Sequence, residues 1–216
     1  MTSLSIPSLH RIGDVMSQYE LDRALVTHAH DGLSLDVAVF LRAGANPKHE
    51  NSLALRLASG GGHAECLRLL IPISDATAFD SHALGWAAQH GYAECVELLI
   101  PVSDLVSNGS VALCNAASNG HADCVALLLP FSAPLMDDPK ALTAAVANGH
   151  AHVLSLMLDR EPCLVGKLNL RELHAYAEQC GHAAMASLTA SMIERAELDG
   201  AVSGSCCSDS LGRPRL

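Results

Sequence analysis

A phrase of the form ALxxAAxxGH, followed by a Cys-Val-Leu-Leu-like run, recurs through the middle of the chain at a fixed step. The glycines that mark it, Gly62, Gly91, Gly120 and Gly149, stand 29 residues apart. Self-similarity at a period of roughly 20–50 residues marks a stacked array, in which each unit buries its apolar face only against its neighbours. The 216 residues therefore need not close one globular core. They read as one continuous repeat domain over residues 16–198, between an N-terminal tail (1–15) and a C-terminal tail (199–216) too poor in apolar residues to fold.

Within one unit, Ala83, Leu84, Ala87 and Ala88 recur at helical spacing and stop at Gly91, the residue type that ends a helix most readily. A second helix is expected to start near Ala93, with Cys95, Val96, Leu98 and Leu99 on its apolar side, and to stop at Pro101. Pro72, Pro101 and Pro130 mark the ends of successive second helices, because proline lacks the N–H that would continue the ladder. Ser74-Asp75 and Ser103-Asp104 are turn formers that reverse the chain toward the next unit. Each unit is thus a helical hairpin, and the fold class is all-α.

Half of the residues are hydrophobic but only 3% are aromatic. Alanine and leucine fill the apolar positions, which suits thin helices packed closely. A formal charge of −10 disfavours nucleic acid or an anionic membrane surface and favours a basic protein partner. No apolar run reaches the ~18 residues that a membrane span requires. The first ten residues lack the basic and apolar regions of a secretory signal, so the expected location is cytoplasmic. Cys66, Cys95 and Cys124 recur at the repeat step and read as reduced, buried thiols.

Ala87-Ala88-Gln89-His90-Gly91-Tyr92, Ala116-Ala117-Ser118-Asn119-Gly120-His121 and Arg42-Ala43-Gly44-Ala45-Asn46-Pro47 carry a resemblance to ankyrin-repeat proteins. That resemblance implies an ankyrin-like solenoid of about six repeats, extended outward by a unit over Glu20 to Pro47 and a divergent last unit around Gly181. The chain departs from the family in two ways. Ser-His-Ala-Leu (81–84) and Ser-Val-Ala-Leu (110–113) replace the TPLH tetrapeptide, and the usual period of ~33 is shortened. The missing residues fall between hairpins, so short inter-repeat loops are expected where the family carries projecting fingers.

Several residues suggest chemistry without the context that chemistry needs. His63/Cys66 and His121/Cys124 have metal-like spacing, but zinc requires four converging ligands, and equivalent residues of stacked helices lie about 10 Å apart. No metal or other cofactor is expected. The twelve histidines form no nucleophile elbow or thiol-protease signature. Gly60-Gly61-Gly62 lacks the Gly-Lys-Ser/Thr of a phosphate loop. Cys206-Cys207 stands apart from any C-terminal lipidation pattern.

What remains is a binding surface. The resemblance places partner contacts on the first helices, which line the concave face, and on the loops between units. In this sequence those positions include Phe79, Asp80, His82, Gln89, His90, Asn108, Ser118, Asn119 and Asn148. Trp86, the single tryptophan, joins them because Leu57, Asn115 and Ala144 occupy its place in other units. The expected function is a non-enzymatic protein–protein interaction module, monomeric or weakly self-associating. An adaptor, an inhibitor or an effector translocated into a host cell fits best, since the short alanine-rich array resembles bacterial members of the family. The alternatives are an enzyme or enzyme subunit with a site assembled between repeats, and a self-assembling structural array.

Overall fold

The computed structural model describes residues 16–131, 140–160 and 169–200, without the side chains of residues 106–109 and 198–200. Among the described residues, twelve α-helices follow one another in six antiparallel hairpins: α1 (Gln18–His30) with α2 (Ser34–Arg42), α3 (His49–Gly60) with α4 (Ala64–Leu70), α5 (Ala78–His90) with α6 (Ala93–Leu99), α7 (Leu105–Ser118) with α8 (Ala122–Leu128), α9 (Lys140–Ala147) with α10 (Ala151–Arg160), and α11 (Leu170–Gln179) with α12 (Ala183–Gly200). No strand occurs among the described residues. First helices stack on first helices and second on second, giving two layers. The anticipated N-terminal tail and residues 201–216 of the anticipated C-terminal tail, with the Cys206-Cys207 pair, lie outside the described residues, while residues 199 and 200 continue α12.

The repeated phrase is now explicable atom by atom. At the end of each first helix the chain turns through a left-handed glycine, φ +79° at Gly91 and φ +77° at Gly120. The next N–H then reaches back to the alanine carbonyl five residues earlier, as in Tyr92 N–H to Ala87 O at 3.0 Å and His121 N–H to Ala116 O at 2.9 Å. This is the Schellman closure, which satisfies carbonyls that the helix leaves open. The prolines act as expected: Pro101 and Pro130 sit in single 3₁₀ turns, Ile100–Val102 and Leu129–Phe131, that end α6 and α8.

The core lies between the two layers. Leu25, Leu55, Leu84, Leu113 and Leu142 form one line of buried leucines, and Cys66, Cys95, Cys124 and Val153 form another. Ala58, Ala87, Ala116, Ala145 and Ala177 are wholly buried where adjacent first helices meet, so larger side chains there would force the units apart. In the last unit His174 takes the leucine place, and its Nδ1 stands 3.0 Å from the buried Thr189 hydroxyl. That polar pair replaces apolar packing in the last described hairpin.

Two hydrogen-bond ladders tie units together, one along each edge. On the hairpin-turn edge each histidine after a glycine lays its ring over the preceding unit's glycine and donates Nε2–H to a carbonyl two residues before that glycine. The rungs are His63 to His30 O (2.8 Å), His121 to Gln89 O (3.0 Å), His150 to Ser118 O (3.0 Å) and His182 to Ala147 O (2.9 Å). On the loop edge, buried Asp22, Ser52 and Ser81 accept from the backbone N–H groups of Asn46 (2.6 Å), Asp75 (2.9 Å) and Asp104 (2.8 Å). The histidine after each of these glycines thus joins adjacent units.

Candidate functional site

The inter-repeat loops are short but far from plain. Glu50-Asn51-Ser52 and Phe79-Asp80-Ser81 each form a left-handed turn, with φ between 48° and 58°, before the right-handed part of α3 and α5 begins. Such geometry is unfavourable for residues with a Cβ, by about 1–2 kcal/mol each. The inward serines compensate through the buried bonds just described. The second consequence concerns the surface, because the turn projects Phe79 outward, 59% exposed, beside the first-helix face.

There the Arg56 guanidinium of α3 lies 4.6 Å from the Phe79 ring centroid, and its Nη2 donates to the Glu50 carbonyl at 3.2 Å. One helical turn further along α5, His82 and Trp86 pack ring to ring at 4.8 Å and 49°. Trp86 is half-buried because the preceding unit makes room for it: a Cβ on Gly60 would stand 3.0 Å from Trp86 Cε3. The run Gly60-Gly61-Gly62 thus receives aromatic rings, Trp86 over Gly60, His63 over Gly61 and Tyr92 over Gly62. One side of Trp86 fills core and the other side opens.

It opens onto a groove of about 270 Å³ between α5 and α7, lined by Phe79, Asp80, Ser81, His82, Gly85, Trp86, Gln89, Val111 and Asn115. Five residues named from the sequence, Phe79, Asp80, His82, Trp86 and Gln89, converge on it. Gly85, Val111 and Asn115 were not named as contact positions. The signal available for Gly85 was a glycine inside a helical pattern with no turn to make. Asn115 Nδ2 donates to Gly85 O at 3.3 Å, so the floor of the groove is fixed from both helices.

The remaining named positions lie elsewhere. His90 packs near Tyr92, ring centroids 6.1 Å apart, by the hairpin turn. Ser118 Oγ donates to Cys114 O (2.7 Å), Asn119 Nδ2 to Asn115 O (2.8 Å) and Asn148 Nδ2 to Ala144 O (2.9 Å). These side chains cover the last carbonyls of their own helices, a use of polar residues near helix ends that needs no partner. The Asn108 side chain lies outside the described residues.

Acidic groups dominate the loop edge near the groove. Hydrogen bonds from the Thr77 hydroxyl and backbone hold the Asp75 carboxyl below its ordinary range, and Asp80 and Asp104 are exposed nearby. Burial, and then the Glu94 and Asp123 charges, push the Cys95 and Cys124 thiols up to about 11. Thiols so held are poor nucleophiles and poor metal ligands at neutral pH. Among the described residues no three His, Cys, Asp or Glu side chains are grouped to hold a metal ion. The His174–Thr189 pair has base-to-hydroxyl geometry, but Thr189 is wholly buried and also bonds the Met185 and Ala186 carbonyls at 3.0 Å each.

Six stacked hairpins and left-handed glycine closures define a helical-repeat solenoid, with a groove on its first-helix face. A family model for ankyrin repeats, built of three copies, matches residues 25–108 and again 84–167. The chain belongs to the ankyrin-repeat family, whose members serve generally as protein–protein interaction modules and are typically not enzymes. No curated protein matches the chain significantly. No helix among the described residues is long and apolar enough to cross a membrane.

Proposed function

We propose that this chain is a non-enzymatic interaction module that binds a basic segment of a partner protein across the first-helix face and the adjoining loops. The observation that carries the proposal is the groove, where Phe79, His82 and Trp86 are gathered with polar groups at the rim. Aromatic anchors in a partly desolvated hollow are the usual centre of a protein interface. A surface ordered in advance by two hydrogen-bond ladders reduces the entropic cost of docking. Acidic residues along the loop edge would steer a basic partner toward it and disfavour nucleic acid. Residues 16–198 would act as one unit, working inside a cell as an adaptor, inhibitor or translocated effector, and as a monomer or weak self-associate.

The test compares capture from a lysate of the encoding organism by the intact protein and by a Phe79→Ala, Trp86→Ala, Gln89→Ala variant. Equal helicity of the two baits by circular dichroism is required first. A protein retained by the first and lost by the second supports the assignment. Equal retention by both would refute a site on this face.

A further inference from the structure

Gly85 lines the groove beside Trp86, and the helix has no need of that glycine. Gly85 lies in the interior of α5 and is not among the residues of positive φ. A Cβ placed on it would meet only Asn115 Nδ2, at 3.6 Å, an ordinary contact. Alanine would make a more stable helix at such a position. Arg56, Cys114 and Thr143 occupy the same place in neighbouring units. What glycine supplies is an open floor between Trp86 and Val111.

Size and chemistry narrow the occupant. At about 270 Å³ the groove falls below the ~300–1,000 Å³ typical of small-molecule sites, and it suits one side chain of a docked segment. Trp86, His82 and Phe79 offer aromatic rings, and Asp80 is the one lining residue with a formal charge at neutral pH. The protein already shows how a guanidinium rests on one of these rings, since Arg56 covers Phe79 at 4.6 Å. Arg56 itself is directed to the Glu50 carbonyl and does not line the groove. A planar guanidinium both stacks on an indole and pairs with a carboxylate, which an ammonium does less well.

Resting on the interaction-module assignment, we propose that the groove is a socket for a single arginine of the partner segment, its stem over Gly85, its guanidinium on Trp86 and toward Asp80.

A library of random linear peptides displayed on phage, panned on the full chain and counter-selected on a Gly85→Leu variant of equal helicity, tests this. Peptides sharing one fixed arginine and discarded by the variant are the expected result. Because Trp86 is the only tryptophan, its emission then reports binding of the selected peptide directly. Replacing that arginine by neutral citrulline should weaken binding about tenfold, as should Asp80→Asn. Gly85→Ala should raise the unfolding midpoint while weakening the peptide several-fold, whereas a purely structural glycine would move both together. An aliphatic or aromatic residue at the fixed position would overturn the arginine socket and leave the interaction module standing. Peptides held equally by the Gly85→Leu variant would overturn the socket altogether, and a failure to enrich any peptide would count against it too. Loss of the interaction module would show separately, as no lysate protein depending on Phe79, Trp86 and Gln89.

Discussion

At the scale of single residues, the buried polar atoms are more revealing than the leucines. Ser81 is 1% exposed, and its hydroxyl accepts the Asp104 N–H at 2.8 Å while its backbone holds φ 56°. Ser81→Ala removes the acceptor of this part-buried bond. We expect a loss of about 1–3 kcal/mol, read as a lower urea midpoint with an unchanged slope. The thiols give a pH test. With folded values of about 11 against 9.0 for a free thiol, Cys95 and Cys124 stay protonated in the native state after they have ionised in the unfolded chain. Their contribution is complete below pH 9, falls as pH rises from 9, and is gone above 11. Thermal melts across that window should show the decline, and Cys95→Val with Cys124→Val should flatten it.

At the scale of elements, the glycine after each first helix does two jobs. Its left-handed φ closes the helix, and its missing side chain admits the ring from the next unit. A Cβ on Gly91 would lie 2.5 Å from His121 Nδ1, so the ring of α8's leading histidine would be displaced along with its bond to Gln89 O. Gly91→Ala should therefore cost more than the strain alone, about 2–4 kcal/mol in all. His121→Ala should recover none of the φ strain, and a double-mutant cycle should show the two positions to be coupled. Tyr92 is the variant rung: its ring covers Gly62 as the histidines cover theirs. Tyr92→His should place Nε2–H near the Gly60 carbonyl and raise stability by about 0.5–1.5 kcal/mol, measurable in the same urea titration.

At the scale of the whole molecule, stability is a sum over hairpins and the contacts between neighbours, so the middle of the array should be its firmest part. The last unit has polar His174 and Thr189 in core positions, and much of α12 is exposed. Native-state hydrogen exchange should show slowest exchange in α5 and α7 and fastest in α11 and α12; uniform protection along the chain would contradict the additive picture. The same additivity decides what could be learned without coordinates. The period, the glycine closures, the proline stops and six hairpins were legible in the sequence, because each is a local or nearest-neighbour consequence of residue type. So was much of the groove, since Phe79, Asp80, His82, Trp86 and Gln89 belong to one unit and one face. Gly85, Val111 and Asn115 were not legible, because a hollow is a property of two facing helices and depends on a side chain that is absent. The polar ends of Ser118, Asn119 and Asn148 could not be assigned from sequence either, since an amide that bonds its own helix and one that awaits a partner have the same letter. The sequence by itself determined the unit and its stacking through local backbone chemistry. Only the tertiary structure decided which surface side chains meet and where space is left between them, because both depend on distances across separate repeats.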